Sequence, residues 1–452
     1  MSSSLTEGKI LGPLLKFTIP VMIALVLQSL YGAVDLLVVG QFATSADVSA
    51  VSTGSQIMST ITNVVAGLSM GTTILLGQLI GENKKDEAGK AVGASIVFFG
   101  IVAVIFSAIM LLNISNICTI MNAPEAAFEM TEHYVGICSM GMVFIVAYNV
   151  LGSLFRGIGN SRLPLVSVAI AAVINIFGDL FLVSVMHMGA AGAAIATVAS
   201  QGISVLISIF IIKKIQLPFD MHKEYIRFNK EITKRVFNFG FPLALSDFLV
   251  GLSFLVIVAL VNQFGVIVSA GVGVAEKVCA FIMLIPSAFG QSMAAFVAQN
   301  YGARKMDRAH LGLRYGLITS FVLALVMAYL SFFHGDILCG LFSNDSEVIA
   351  AGWQYLKAYA IDCFFTAIFF NMAGFFNGCG YTKFVMAENL LGALAIRVPV
   401  SYLMSMIRPV NIFYIGLATP CSSFLQVVMC VVYMKIVVTK KEKELSLKQS
   451  NK

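Results

Sequence analysis

The chain repeats itself. Gly81, Lys84, Asp86 and Ala88 recur 221 residues later as Gly302, Lys305, Asp307 and Ala309, and Phe155, Gly157 and Gly159 recur as Phe376, Gly378 and Gly380. Pro20 has its counterpart in Pro242, with one residue of slippage. Long apolar runs surround every matched position, so the repeated unit is a membrane unit. Such duplication points to a transporter whose site lies between the halves.

Composition fixes the solvent. A chain of 452 residues that is 58% hydrophobic and 12% charged, with mean hydropathy +0.90, would expose one continuous apolar surface in water. A spanning helix needs about 20 apolar residues. Twelve such stretches are legible, at 12–40, 52–80, 89–113, 128–154, 163–186, 190–212, 234–263, 267–298, 310–333, 350–376, 383–406 and 412–438, six to each copy. The fold class expected is therefore an all-α polytopic membrane protein.

Lys and Arg test the count independently, because cytoplasmic loops collect positive charge. Lys84, Lys85 and Lys90 follow span two, Arg156 and Arg162 follow span four, and seven basic residues lie between Lys213 and Arg235 after span six. Arg304, Lys305, Arg308 and Arg314 follow span eight, Lys383 follows span ten, and Lys440 to Lys452 closes the chain. The loops at 41–51, 114–127, 187–189, 264–266 and 334–349 hold no Lys or Arg, and only Arg408 breaks the pattern. Both termini are expected inside. The net charge of +6 expresses this bias and not an affinity for nucleic acid.

An even number of spans per copy makes the copies parallel repeats that face each other across a central cavity. The organisation expected is an N-lobe at 1–215, a cytoplasmic linker at 216–232, a C-lobe at 233–438 and a basic cytoplasmic tail at 439–452. No secretory signal is read at the start, where Met1 to Lys9 is polar. The eight cysteines are scattered, with no C-x-x-C and no His at metal spacing, so no disulfide framework, zinc site or cofactor is expected. Cys118 and Cys339, 221 apart, are read as sharing a packing role.

Acidic groups at mid-membrane are a functional hypothesis by default, since each costs several kcal/mol if left ionised and unpaired. Asp35 lies deep in span one and Asp179 in span five. Asn175 and Asp179 are four apart and share a helix face. Thr197, in the small-residue run of span six, can add a hydroxyl. Two carboxylates, an amide and a hydroxyl form a hard-oxygen cluster suited to Na⁺ or to a proton. The repeat is an internal control: Asp35 maps to Val256 or Ile257, Asp179 to about Val400, and Asn175 to Ile396 or Arg397. The scaffold was duplicated, yet these acids stand in one copy.

The second copy has other charges: Asp247 in span seven, Glu276 and Lys277 in span eight, Asp362 in span ten, and Glu388 and Arg397 in span eleven. Asp247, Glu276 and Asp362, with Met283 among the Met and Phe residues of span eight, are candidate lining for a C-lobe cavity that repacks around amphipathic ligands. Glu388 and Arg397 are nine apart, so each is expected to find a partner on another helix. Pro20 and Pro242 occupy equivalent places in the first span of each copy, and Pro20 is a candidate hinge.

At these residues the chain resembles the multidrug and toxin extrusion (MATE) family over essentially its whole length. The resemblance is carried by Pro20, Gln28 and Asp35 with Val39-Gly40, by Gly77-Gln78-Leu79-Ile80-Gly81 and its repeat Ala298-Gln299-Asn300-Tyr301-Gly302, by Phe155-Arg156-Gly157-Ile158-Gly159-Asn160 and its repeat Phe376-Asn377-Gly378-Cys379-Gly380-Tyr381, and by Asn175 with Asp179. It implies two six-helix lobes forming a V around the cavity, and export of cationic or amphipathic compounds in exchange for Na⁺ or H⁺. The family's N-lobe cation site would fall on Asp35, Asn175, Asp179 and Thr197. The acids of the NorM branch would fall at Val250 and Thr366 here, so the chain looks closer to the DinF/MepA-like branch.

The expectation is a monomeric antiporter of a bacterial inner membrane and not an enzyme, with drugs, the coupling ion and the bilayer as its partners. Arrival of the cation would discharge Asp35 and Asp179, rearrange Asn175 and Thr197, and bend span one near Pro20. The rival reading is a lipid-linked saccharide flippase of the same superfamily. A membrane-embedded enzyme is more distant, since His133, His187, His222, His310 and His334 include no pair at ligand spacing.

Overall fold

The computed structural model of the protein describes residues 5–407 and 409–438; Arg408 and the basic tail at 439–452 lie outside the described residues. Every regular element among the described residues is helical. Among the described residues, eleven helices are long and apolar enough to cross a membrane, and twelve if one bent pair counts as a single span.

The chain resolves into two compact units. The first comprises residues up to Asp247 together with Ala294–Ala309 and Gly378–Gly380, and the second comprises Phe248–Met293, His310–Asn377 and the chain from Tyr381 onward.

The first unit contains α1 (Leu11–Phe42), α2 (Ser45–Gly81), α3 (Lys85–Leu112), the short α4 (Ile114–Ile120), α5 (Phe128–Met140), α6 (Met142–Gly157), α7 (Arg162–Asp179) and α8 (Gly189–Lys214). It also takes in the start of α9 (Lys230–Val261). Helix α2 opens with a capping box, in which Thr44 Oγ1 accepts from the Asp47 N–H at 3.2 Å and Asp47 accepts from the Thr44 N–H at 3.1 Å. The other Asp47 oxygen accepts from the Ala190 N–H at 2.9 Å, fastening the start of α2 to that of α8.

The expected fourth span is broken. Its two halves, α5 and α6, are bent by 55° at Gly141, whose backbone is pressed against the Val198 side chain of α8. A Cβ has no room there, and glycine permits the close approach. The segment between α8 and α9 is docked, not free. Its Asp220 and Tyr225 carbonyls abut Gly89 and Gly93 of α3, and the Tyr225 hydroxyl donates to Asp86.

The second unit continues α9 and holds most of α10 (Val266–Gly302), α11 (Met306–Phe333), α12 (Gly335–Gly340) and α13 (Ser346–Gly378). It is completed by α14 (Thr382–Leu390), α15 (Val398–Met406), α16 (Ile412–Gly416) and α17 (Ala418–Tyr433). Helices α14 and α15 are joined by a π-helical stretch, Leu391–Arg397, so that span eleven carries a π-bulge at mid-length.

The sequence repeat is written into the backbone. Asn83 and Arg304, 221 apart, both take left-handed conformations at φ 58° and 57°, and so do Gly159 and Gly380 at φ 81° and 86°. Each closes its helix with the same six-residue turn: Lys84 N–H donates to the Leu79 carbonyl at 3.0 Å, and Lys305 N–H to the Asn300 carbonyl at 2.8 Å. Cys118 and Cys339 likewise occupy the short helices α4 and α12, both fully buried. Burial is the main cause that pushes both thiols up, that of Cys339 to about 11, which makes them inert packing groups at neutral pH.

Candidate functional site

Three helices of the first unit bring four of the predicted residues together. Asp35 comes from α1, Asn175 and Asp179 from successive turns of α7, and Thr197 from α8. The helices approach closely because small residues line their seams: a Cβ at Gly178 of α7 would stand 3.0 Å from the Ala196 Cβ of α8. Hydroxyls complete the seam. Ser204 Oγ donates to the Ser167 carbonyl at 2.7 Å, and Ser167 and Ser208 share a bond of 2.7 Å.

Within this frame Thr197 Oγ1 donates to Asp35 Oδ2 at 3.2 Å, and Asn175 Nδ2 donates to Thr197 Oγ1 at 3.5 Å. The Asp35 and Asp179 carboxyls lie close enough to act on one another electrostatically. Asp35 is 5% exposed, and Asn175 and Asp179 are fully buried. Asp35 Oδ1, Asn175 Oδ1 and both Asp179 oxygens have no hydrogen-bond partner. Buried polar atoms are normally satisfied, because an orphaned one costs about 1–3 kcal/mol and a charged one more. Four such oxygens in one cluster, with no basic side chain among the four residues, are of the hard-oxygen type that could hold a small cation or share a proton.

The remaining predicted residues are divided between the two units. Asp247, on α9, belongs to the first unit, where its carboxylate lies beside Gly67 of α2. Glu276, Met283 and Asp362 belong to the second unit. Met283 packs against that unit's core, Glu276 is half-buried with Oε1 unpartnered, and Asp362 is fully buried with both oxygens unpartnered. Glu388 and Arg397 do find partners on other helices: the Cys430 thiol donates to Glu388 at 2.9 Å, and Arg397 donates to Ser253 Oγ at 3.0 Å. Pro20 and Pro242 lie within unbroken helices.

Sequence reasoning quoted Gln78 and Gln299 without giving them work. Both are buried, and each crosses to a glycine carbonyl of the other copy: Gln78 Nε2 donates to Gly378 O at 3.0 Å, and Gln299 Nε2 to Gly157 O at 2.9 Å. All four residues lie in the first unit. The signal was available, since a polar residue kept in both copies at a helix end has to satisfy something in both.

Comparison with known proteins agrees with this architecture. The MatE family profile matches residues 20–181 and 242–403. The chain is 28% identical to the probable multidrug resistance protein YpnP of Bacillus subtilis (strain 168), covering 88% of this chain and 89% of that one. It is 23% identical to the multidrug export protein MepA of Staphylococcus saprophyticus, over 87% and 86% of the two chains. Among solved structures it superposes on an outward-facing multidrug resistance MATE family transporter of the MOP superfamily with a TM-score of 0.91, at 19% identity over 98% and 99% of the chains. A MATE structure in the bent conformation gives 0.90, also at 19% identity. With both copies matched separately and most of the chain covered, this protein belongs to the MatE family, as a polytopic membrane transporter related to the MepA-type proteins.

Proposed function

We propose that the protein exports cationic or amphipathic organic compounds across a bacterial inner membrane, with both termini cytoplasmic, in exchange for H⁺ or Na⁺ taken up at Asp35, Asn175, Asp179 and Thr197. The relatives' roles as multidrug resistance and export proteins support the substrate class. The observation that carries the coupling is the buried group of unpartnered oxygens on Asp35, Asn175 and Asp179.

Two carboxylates held together in a low-dielectric setting repel, and the arrangement is relieved by a cation or a proton between them. When that charge arrives from outside, Asp35 no longer needs the Thr197 hydroxyl in the same way, and α1 is free to shift on α7 and α8. When it leaves toward the cytoplasm, the acids regain the capacity to favour a cationic drug. The two states bind drug and coupling ion with different affinity, which is what exchange requires. Pro20, in α1, is the hinge in this reading, and the lobes at 1–215 and 233–438 are its moving parts.

Reconstituted protein, loaded with ethidium and given an inward H⁺ or Na⁺ gradient, tests the scheme. Efflux should follow one of the two gradients and fall by about tenfold or more, a change of about 1.4 kcal/mol, in Asp35→Asn and Asp179→Asn. Efflux at the parental rate in both variants would end it.

A further inference from the structure

The end of α6 carries a guanidinium that its own unit does not neutralise. Arg156, the penultimate residue of that helix, turns back along it, and its Nη2 donates to Ser153 Oγ at 2.8 Å. The hydroxyls behind it are already committed. Ser69 Oγ donates to the Ala66 carbonyl at 2.9 Å, so it accepts in its 2.8 Å bond with Ser153, and Ser153, having given its proton to Ser69, can only accept from Arg156. Ser69 and Ser153 are fully buried. This relay across the seam of α2 and α6 holds the guanidinium in one place and supplies no negative charge.

A guanidinium has several N–H donors in a planar fork, and the bond to Ser153 is the one Arg156 makes among the described residues. Its buried Nε has no partner, and no carboxylate oxygen lies within 4.0 Å of the side chain among the described residues. The space beside it is open. A Cβ added to Gly152 would meet no other helix within 4 Å, only Arg156 Nη1 at 3.4 Å. Gly152 and Arg156 are both half-buried, and Asn149 continues the same helix face one turn further along. An unpaired cation at the end of a spanning helix, opening into such space, has water or an anion as its partner.

The second copy shows the same place when it is only packed. The register needs no adjustment, because Phe155 and Gly157, directly on either side of Arg156, repeat 221 residues later as Phe376 and Gly378, and the left-handed Gly159 repeats as the left-handed Gly380. Arg156 thus corresponds to Asn377, Ser153 to Gly374, Gly152 to Ala373 and Asn149 to Phe370. There a Cβ at Gly374 would overlap the Gly290 carbonyl, and Ala373 is buried. Charge, hydroxyl and open space are present together in the first copy and replaced together in the second. Closing this helix end therefore does not require them.

We infer that Arg156 is an anion subsite of the first unit, taking the carboxylate or phosphate oxygens of an amphipathic molecule, with Gly152 leaving the room for it and Asn149 adding an amide beside it. A guanidinium presents paired N–H groups that match such oxygens. The inference rests on the export reading for its cargo and extends it, from cations to amphiphiles that also carry an acid group. The headgroup of an anionic phospholipid offers the same chemistry and is the other source of the ligand.

Equilibrium binding to purified full-length protein in a neutral detergent tests this apart from transport. The probes are a dansylamino fatty acid and its methyl ester, matched except for the charge, at pH 8. The parent is expected to bind the acid about tenfold more tightly than the ester, Arg156→Gln to bind the two alike, and Arg156→Lys to keep part of the preference. No preference in the parent, or an unchanged preference in folded Arg156→Gln, overturns the inference. Should Arg156→Gln unfold, Gly152→Leu decides at constant charge: loss of acid binding with the melting temperature held supports the subsite, and undiminished binding refutes it. Competition with phosphatidylglycerol, against phosphatidylcholine as the neutral control, separates the two sources of a supported subsite, since displacement of the acid probe assigns it to a lipid headgroup and persistence assigns it to cargo. Asp35→Asn is expected to keep the acid preference, so this subsite and the export scheme can each fail alone.

Discussion

Gln78 and Gln299, 221 residues apart, make the same hydrogen bond in opposite directions. Gln78 crosses to the Gly378 carbonyl and Gln299 to the Gly157 carbonyl, at 3.0 and 2.9 Å. The duplication has thus produced a reciprocal junction in which each copy closes the other's helix end. Because a buried carbonyl loses its partner in either case, Gln78→Ala and Gln299→Ala should each destabilise the protein by about 1–3 kcal/mol. Melting in detergent checks this, and equal losses are expected from the two variants.

The same junction is sterically tight. A Cβ at Gly81 would overlap the Gln299 carbonyl, and one at Gly302 would overlap the Gln78 carbonyl. Backbone atoms cannot step aside as a side chain can. Gly81→Val and Gly302→Val should therefore cost about 1–3 kcal/mol each through overpacking. Glycine to alanine at Gly100, where nothing lies within 4 Å, is the control and should be close to neutral.

Arg308 gathers the start of the chain. Its guanidinium donates to the carbonyls of Leu5, Glu7, Gly8 and Lys9 at 3.2, 2.7, 2.6 and 3.2 Å, while Lys305 reaches the Thr6 carbonyl at 3.0 Å. Apart from the buried Leu5 side chain and the Asn300 Nδ2 bond to the Leu5 carbonyl at 3.2 Å, these charge-assisted bonds are what fasten the segment, and they should dominate its protection. In Arg308→Ala, amide exchange over residues 5–10 should accelerate by about tenfold, or about 1.4 kcal/mol of opening free energy. Unchanged exchange would mean that the buried Leu5, with Asn300 on its carbonyl and Lys305 on that of Thr6, holds the segment without Arg308.

Thiol chemistry offers a pH test outside the spans. With the Cys339 thiol raised to about 11 by burial and by the charge of Asp336, its thiolate fraction keeps climbing tenfold per pH unit until that value. A polar thiol reagent should leave Cys339 untouched at pH 7.5, and its rate should still be rising between pH 9 and 10. An ordinary exposed thiol would have levelled off by then.

The sequence disclosed the solvent, the span count and the duplication, because each rests on long stretches of residues: apolar length, charge alternation and matched turns. It also brought out Asp35, Asn175, Asp179 and Thr197, since a polar group in a membrane span is conspicuous and the second copy lacks those acids. It did not disclose the bend at Gly141. The break there depends on Val198 pressing on the glycine from another helix, and the local sequence on either side remains helix-forming. The docking of Tyr225 on Asp86 was hidden for the same reason, being a contact between residues 139 apart in a polar segment with no periodicity. Nor did it show that Asp247 and Asp362 fall in different units, because depth within a span does not tell which neighbour a helix face meets.

Charge at the Asp35 cluster is the proposed driver of export. Ethidium efflux from proteoliposomes under an imposed H⁺ or Na⁺ gradient, compared between parent, Asp35→Asn and Asp179→Asn, measures it most directly. Gradient-dependent efflux in the parent, reduced by about tenfold or more in both variants while their melting temperatures hold, is the predicted result. Gradient-driven efflux at the parental rate in folded Asp35→Asn and Asp179→Asn proteins would contradict it.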